Sequence, residues 1–401
     1  MSNFDGRKWT NEEMKTLYLE RMKGTPYKVL SDMLNRTPKS LENKYNRDTD
    51  WTQFDFYEAE GKELEEIREE KLQAGLNRSN LSIHRSLDKF RLQADIIGDK
   101  LSKAARNLPP APLPVYTPSI KTNRTAEDMG LMLSDLHIGH EHTLEETGGL
   151  SEYNIDIFHK RMENLKTAIT DIKELHSKLY RIPKLHIFSL GDIVDGANTA
   201  GAWSQVWIGT PIFDQVMIGY RSISDFIYYM LTLFDEVEFY GLYGNHGRIA
   251  PNGAEKKYNN FDLFCYKYIQ QEFRNEPRIK FHVDTTWWMM KNIQNHNFLL
   301  THGDDVKAKN PPVTSFLDYE RKITGMIRQI PNYTLTGHFH NCSEYTTHNG
   351  RVLMNGSFVG ADVYSLSNNM PGTSPEQKLF GIHPKIGITW TYNVNLKHDR
   401  S

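Results

Sequence analysis

The sequence of 401 residues predicts a mixed α/β (α+β) protein in which a small helical domain and a helical spacer precede the main domain. Three observations support this fold class. Residues 1–51 contain three short helical patterns. Residues 52–119 contain a charged helical pattern and a proline-rich stretch, and residues 120–401 alternate apolar strands with helical segments. We therefore predict three regions with these boundaries.

The first region shows start signals for three helices. Thr10 and Glu13 have the spacing of a capping box, in which each side chain accepts a hydrogen bond from the backbone N–H of the other residue. The Thr-Pro pairs at residues 25–26 and 37–38 each place a hydroxyl before a proline, a combination that favours the first turn of a helix. The apolar residues of this region suffice for a small three-helix core.

The third of these helices is basic. From residue 36 to residue 47 the chain carries four basic side chains and one acid, a local charge of +3. The spacing W-T-N-E-E, followed by G-T-P-Y-x-x-L-x-x-x-L-N-R-T-x-x-S-L, resembles the Myb/SANT type of helix-turn-helix domain, which implies contacts with DNA phosphates and base edges. The predicted DNA contacts are Arg36, Lys39, Ser40, Asn43, Lys44 and Arg47. The alternative is a small docking module, because such domains also bind proteins.

The second region connects the helical domain to the rest of the chain. Acids and bases nearly cancel along residues 52–107, which is typical of a solvated helical spacer. Five prolines follow within the thirteen residues 107–119, and such a composition favours an extended linker.

Composition limits the classes of function. The chain has 48 basic and 50 acidic residues, so nucleic-acid binding would have to rest on local patches. The two cysteines, Cys265 and Cys342, provide no disulfide framework, and no apolar run approaches the roughly 18 residues that a membrane-spanning helix needs. We expect a cytoplasmic protein without a membrane partner, located in the host cytoplasm if it is phage-encoded.

In the third region, polar clusters stand at the ends of apolar strands. The strand candidates are GLMLSD, KLHIFSLGD, VEFYGLYGN, NFLLTHGD, YTLTGH and RVLMNGS, while residues 368–396 are predicted as a polar loop and one closing strand. Each of five clusters combines a carboxylate, an amide or an imidazole with a glycine or a tight turn. In order they are Asp135-x-His137, Gly191-Asp192-x-x-Asp195-Gly196, Gly244-Asn245-His246-Gly247, Thr301-His302-Gly303 and Gly337-His338-x-His340. This mixture of ligands suits Mn, Fe, Zn or Co better than calcium.

As an ordered set, these clusters resemble the calcineurin-like metallophosphoesterase superfamily over residues 128–360. The resemblance implies a two-sheet sandwich flanked by helices, with two divalent metal ions at the strand ends. It also implies a role for each matching residue. Asp135, His137 and His340 would hold the first metal, Asn245, His302 and His338 the second, Asp192 would bridge both, and His246 would act on the leaving group without binding metal.

Two such cations can clamp the attacking and leaving oxygens at phosphorus and lower the pKa of water enough to supply hydroxide near neutral pH. We expect Mn²⁺, with Fe, Zn or Co as alternatives. Asp195 is predicted to support either a metal ligand or the turn without binding metal itself, and Arg248 and His140 are predicted to contact substrate. Many relatives have an aspartate where this chain has Gly247, so either His246 lacks an orienting carboxylate or another acid supplies it.

The resemblance extends to DNA-repair exonucleases of the SbcD type and their phage-encoded relatives. The function predicted first is therefore a metal-dependent hydrolase of phosphodiester bonds, an exonuclease-like DNA nuclease with DNA as its partner. The alternative is a phosphatase or nucleotide phosphoesterase whose N-terminal domain is a docking module. A coiled-coil ATPase partner and a homodimer are both left open. The pair Trp287-Trp288 is predicted to pack in the core or in a lid.

Overall fold

The computed structural model describes residues 8–46, 125–196, 210–249, 256–306, 313–367 and 373–397. The chain divides into two compact units, Met1–Lys89 and Phe90–Ser401. The predicted spacer and linker, and the predicted DNA contact Arg47, lie outside the described residues. Within the described residues, no helix is long and apolar enough to cross a membrane.

The first unit contains the three predicted helices. They are α1 (Asn11–Lys23), α2 (Tyr27–Leu34) and α3 (Pro38–Asn46). The capping box of Thr10 and Glu13 is present at the start of α1. Buried leucines from all three helices form the core, with the ring of Trp9 packed against them. Leucine burial of this kind, rather than helix propensity, holds such short helices together.

The second unit is built on two sheets. Its strands are β1 (Asp128–Leu133), β2 (Lys184–Ser189), β3 (Glu236–Gly241), β4 (Ile279–Val283), β5 (Trp288–Ile293), β6 (His296–Thr301), β7 (Tyr333–Thr336), β8 (Ser343–Thr346), β9 (Arg351–Met354), β10 (Glu376–His383) and β11 (Gly387–Asn395). The first sheet has the order β11-β10-β1-β2-β3-β4, and the second has the order β5-β6-β7-β9-β8.

The strands that lead to the polar clusters are parallel neighbours. In the first sheet β1, β2, β3 and β4 run parallel, and β10 joins β1 antiparallel. In the second sheet β6, β7 and β9 run parallel, with β5 and β8 antiparallel at the two edges. The carboxyl ends of neighbouring parallel strands lie along one edge of a sheet, where ligands usually bind.

The two sheets pack face to face. Phe188 of the first sheet stacks on Phe298 of the second and on Phe380 of β10, with ring centroids 6.0 Å apart in each pair. The surrounding core draws buried residues from both sheets, including Leu300 and Leu335 of the second. The predicted two-sheet α/β architecture is confirmed.

Helices cover the outer faces of the sheets. They are α4 (Ile155–Ser177), α5 (Ile212–Leu233), α6 (Phe261–Glu272), α7 (Val313–Ile327) and α8 (Val363–Ser367). Helix α5 packs between α4 and α6. Helix α7 buries Phe316 and Ile323 against Leu299 and Val352 of the second sheet.

Candidate metal centre

The predicted site residues lie in five loops, each of which follows the carboxyl end of a strand. The loops after β1, β2, β3, β6 and β7 contain, in that order, Asp135 and His137, Asp192 and Asp195, Asn245 and His246, His302, and His338 and His340. The packing of the two sheets brings these loops together, although they are distant in sequence.

Five of the predicted ligands have a backbone conformation that is rare outside glycine. Positive φ angles occur at Asp135 (55°), His137 (43°), Asp192 (53°), His338 (67°) and His340 (51°). They account for five of the nine non-glycine residues with positive φ among the described residues. A strained backbone of this type costs about 1–3 kcal/mol per residue and is concentrated at functional sites. The loops are therefore shaped for the positions of these side chains.

The first group of ligand atoms belongs to Asp135, His137 and His340, and these atoms all lie within 4.8 Å of one another. His340 Nε2 is 3.1 Å from His137 Nε2 and 3.4 Å from Asp135 Oδ1. Both carboxylate oxygens of Asp135 also accept the backbone N–H of His338, at 3.0 and 3.2 Å. Asp135 thus connects the loop after β1 with the loop after β7.

The second group belongs to Asp192, His302 and His338, whose ligand atoms also lie within 4.8 Å of one another. His302 Nε2 is 3.1 Å from Asp192 Oδ2 and 3.1 Å from Asn245 Oδ1. Asn245, which was also predicted to hold the second metal, therefore lies beside the ligand atoms of this group.

Asp192 lies between the two groups. Its Oδ2 atom, which contacts His302, is 4.0 Å from His137 Nε2, and its Oδ1 atom accepts the backbone N–H of His246 at 2.8 Å. A Cβ atom at Gly244 would be 2.1 Å from Asp192 Oδ1, so only glycine lets the loop after β3 approach this carboxylate so closely.

The donor set fits divalent cations. His137 Nδ1 is 3.0 Å from Asp195 Oδ1, and His302 Nδ1 is 2.7 Å from the carbonyl oxygen of Leu190. When these Nδ1–H groups donate, the Nε2 lone pairs point into the centre, which is the arrangement that outer partners impose on metal-ligating histidines. The Nε2 atoms of His137 and His340 face each other at 3.1 Å, and with both lone pairs free they could share an electron-pair acceptor. A cation supplies one.

Charges in the centre keep its carboxylates ionised. Burial alone would raise the pKa of Asp192, but His302 and His246 outweigh burial and hold that pKa well below its usual value. Burial also opposes ionisation of Asp195, whose pKa is likewise held well below its usual value because three histidines hydrogen bond to it. Ionised carboxylates are the form that binds a cation.

His246 lies beside both groups and is partly exposed. Its ring meets the ring of His137 edge to face at 4.5 Å, and its Nδ1 atom is 3.0 Å from the carbonyl oxygen of Asp195 and 3.5 Å from the carboxylate of the same residue. Burial lowers its pKa, but Asp192 and Asp195 outweigh burial and raise the pKa to about 10. Asp195 thus supplies the acidic contact that Gly247 cannot. One further ligand grouping, His137, Asp192 and His246, includes His246 itself.

Asp262 is a site residue that sequence reasoning missed. It is fully buried at the start of α6 and accepts backbone N–H groups from Asp192 (2.9 Å), Ile193 (3.1 Å) and Gly244 (2.9 Å). Nearby, the side-chain amide of Asn260 donates to the carbonyl oxygen of Gly244 at 2.8 Å. Burial and the charge of Asp192 raise the pKa of Asp262 to about 6. In the sequence, Asn260-x-Asp262 has only the pattern of an ordinary helix N-cap.

The residues predicted to contact substrate also lie near the centre. His140 Nδ1 is 3.4 Å from Asp195 Oδ2. Arg248 forms an ion pair with Asp304, which stands two residues after His302.

The predicted DNA contacts in the first unit divide into two sets. Arg36 is buried, pairs with Glu13 at 3.0 Å and lies 4.0 Å from the centroid of the Trp9 ring. It stabilises the helical core instead of facing solvent, which corrects its assignment as an exposed DNA contact. Lys39 is exposed beside Glu42, at 2.8 Å, and Ser40, Asn43 and Lys44 are partly exposed on α3.

No family model and no curated protein matches the sequence. Among solved structures, Vps29 from Cryptosporidium parvum is similar, with 13% identity, a TM-score of 0.30 and coverage of 67% of this chain and 98% of that chain. Vps29 from Entamoeba histolytica complexed with Zn²⁺ has 12% identity and a TM-score of 0.27, covering 67% and 99%. A novel archaeal phosphodiesterase has 9% identity and a TM-score of 0.30, covering 66% and 99%. TM-scores this low establish neither a shared family nor a shared function, so the functional assignment depends on the site itself.

Proposed function

We propose that the chain is a phosphoesterase dependent on two divalent metal ions and that it hydrolyses phosphodiester bonds in DNA. One observation carries the proposal. Two groups of ligand atoms, each within 4.8 Å, converge at adjoining strand ends, and Asp192 lies between them. A carboxylate between two imidazole-rich groups is suited to bridging two cations.

Each group would hold one ion. Asp135, His137 and His340 would hold the first, and Asn245, His302 and His338 would hold the second, with Asp192 shared. When bound, two such ions supply a nucleophile near neutral pH and neutralise charge on the phosphoryl oxygens. We propose Mn²⁺, with Fe, Zn or Co as alternatives that the same donor set accepts.

The protein residues would position and protonate the substrate. His246 turns its Nδ1 atom to Asp195 and exposes 40% of its side chain, so a proton on its other ring nitrogen could be donated to a leaving alkoxide. Asp195 orients this ring through Nδ1 and at the same time orients His137. Arg248 would contact the phosphate once a substrate competes with Asp304 for its guanidinium.

DNA is proposed as the substrate because the first unit carries exposed or partly exposed basic side chains on α3. Lys39 and Lys44 lie on this helix, and Arg47 follows it in the sequence. Basic side chains of this kind contact DNA phosphates and would raise the local concentration of a nucleic-acid substrate. The second candidate, a phosphatase or nucleotide phosphoesterase, has an equal claim on the metal centre, since similar sites act on many phosphoesters.

A hydrolysis assay separates the two candidates. Labelled linear DNA, single- and double-stranded, is compared with bis-p-nitrophenyl phosphate and with mononucleotides, in Mn²⁺ and in EDTA. We expect DNA to be degraded in Mn²⁺ and to stay intact both in EDTA and with the Asp192→Ala protein. Hydrolysis of small esters with intact DNA would support the second candidate, and no hydrolysis of any phosphoester in Mn²⁺ would contradict both.

A further inference from the structure

Trp287 is an exposed aromatic side chain close to the candidate metal centre. Trp287 and Trp288 were both expected to pack in a core or a lid, but only Trp288 packs against the core of the second sheet. Trp287 exposes 39% of its surface immediately before β5. An indole exposed to this extent provides an apolar face for a ligand.

The indole of Trp287 lies beside the loop that follows His302. Its side chain is within reach of the carboxylate of Asp305 in that loop, and the indole N–H can only donate. The ammonium group of Lys257 lies 5.7 Å from the centroid of the indole ring. The ring is therefore accompanied by a carboxylate and by a cation.

The same loop connects this ring to the phosphate contact proposed above. Asp304 Oδ2 lies 3.6 Å from Lys257 Nζ and also accepts a hydrogen bond from Arg248. Two cations thus share the carboxylate of Asp304. Asp304 stands two residues after His302 in the same loop, which places these cations near a predicted metal ligand.

A second aromatic side chain with a cation follows directly in the sequence. Tyr258 exposes 37% of its surface, and the ammonium group of Lys256 lies 5.5 Å from its ring centroid. Residues 256–258 therefore place two cations and one aromatic ring at consecutive positions of the chain, of which Lys257 lies beside Trp287.

We propose that Trp287, Tyr258, Lys257 and Arg248 form a binding track for single-stranded nucleic acid that leads to the candidate metal centre. Proteins that bind single strands combine cations along the backbone with aromatic rings on which unpaired bases stack. Bases within a duplex are already stacked on one another and cannot use an exposed indole in this way. This inference rests on the proposed phosphodiesterase function and specifies its substrate as a single strand.

The track is tested by binding, in EDTA so that no hydrolysis occurs. A fluorescein-labelled oligothymidine of about 12 nucleotides, within the usual site size of such surfaces, is titrated with the full-length protein and followed by anisotropy. The loss of one stacked base corresponds to about 5–150-fold in affinity, and we expect Trp287→Ala to weaken binding within this range. The conservative variant Trp287→Phe, which keeps an aromatic face, should restore most of the affinity.

The chain offers a matched control on another surface. Tyr229 on α5 exposes 37% of its surface, and the ammonium group of Lys166 lies 5.9 Å from its ring centroid. Tyr229→Ala removes an exposed ring that, like the ring of Trp287, has a lysine beside it. This variant should leave oligothymidine binding unchanged. Thermal unfolding shows whether Trp287→Ala is folded, and if it is not, Lys257→Ala tests the same track with the expectation of weaker binding.

The outcomes separate this inference from the proposed function. If the wild-type protein hydrolyses DNA but Trp287→Ala binds oligothymidine as tightly as the wild type, the track is wrong and the proposed function stands. If the wild type hydrolyses no phosphoester but its binding depends on Trp287, the proposed function is wrong. Displacement of the oligonucleotide by an equimolar mononucleotide would also overturn the track, because it would indicate a pocket for one nucleotide.

Discussion

Asp195 illustrates how a residue that is not itself a predicted ligand can determine the geometry of the site. Its carboxylate contacts the Nδ1 atoms of His137, His140 and His246 at 3.0, 3.4 and 3.5 Å. A buried carboxylate with three imidazole partners fixes both the tautomer and the direction of each ring. The sequence indicated a supporting role for Asp195, and the structure identifies which rings it contacts.

Replacing Asp195 by Asn should weaken metal binding by about 10–100-fold, because the amide keeps the volume of the side chain but not its charge. Calorimetric titration of the metal-free protein with Mn²⁺ measures this affinity. Asp128→Asn is the control, since Asp128 pairs with His186 at 3.1 Å within the first sheet and outside the site loops. Equal Mn²⁺ affinities for Asp195→Asn and the wild type would show that Asp195 does not orient a ligand.

His246→Ala should leave the metal content unchanged and lower turnover by about 10²–10⁴-fold, which is the usual contribution of a general acid. Metal analysis of the purified protein tests the first half of this prediction, and kcat for labelled linear DNA, whose leaving group is a basic alkoxide, tests the second. The ligand atoms of His246, His137 and Asp192 are close enough to hold an ion together. Loss of one metal in His246→Ala would therefore mean that His246 is a ligand.

At the scale of elements, Asp262 connects α6 with the loops after β2 and β3. It accepts backbone N–H groups from Asp192 and Gly244, which belong to those two loops. One side chain of a neighbouring helix thus supports the backbone of the two loops that carry the predicted site residues Asp192, Asn245 and His246.

Asp262→Asn should destabilise the second unit by about 3 kcal/mol, because an amide cannot accept from all of these N–H groups and brings its own donors to them. Urea unfolding in EDTA measures this loss without a contribution from bound metal. Asp156→Asn is a matched control, since Asp156 is an exposed acid in the first turn of α4. If Asp262→Asn has the same midpoint as the wild type, Asp262 does not hold the loops together.

Elements with strong local signals were predictable from the sequence. Strands β1, β2, β3, β6, β7 and β9 all coincide with apolar runs that end in a polar cluster. The C-terminal hairpin was predicted as one closing strand, whereas β10 and β11 are two strands joined by a turn at residues 384–386, after which Gly387 begins β11 with a positive φ. Strand β10 pairs with β1, which is about 250 residues earlier in the chain, and no local pattern records such a pairing.

Candidate site residues that belong to a sequence motif could be recognised from the sequence. Residues whose role depends on the tertiary fold could not. The seven predicted ligands were recognisable because each stands in a cluster at the end of an apolar strand, whereas the packing of the two sheets brings them together. Asp262 and Trp287 carry no such signal, since their roles depend on which loops pack against them. Arg36 was predicted to contact DNA because of its charge. In the structure it forms a largely buried ion pair with Glu13, which is distant in the sequence.

At the scale of the whole molecule, the first unit should bind duplex DNA if the helix-turn-helix prediction is right. Replacing Lys39, Lys44 and Arg47 together by alanine should weaken this binding and reduce its salt dependence, because each phosphate contact contributes about 0.9 to the slope of log K against log salt. Anisotropy titrations at several salt concentrations measure both. Lys23→Ala with Lys28→Ala is the control, since both are exposed lysines on α1 and α2. An unchanged slope in the triple variant would contradict DNA binding by α3.

The central claim is that two metal ions bind at the strand ends and share Asp192. Titration of the metal-free protein with Mn²⁺, followed by calorimetry, tests it most directly. We predict saturable binding of two ions per chain in the wild type and loss of at least one ion in Asp192→Ala. The absence of saturable binding in the wild type, or two ions retained by Asp192→Ala, would contradict it.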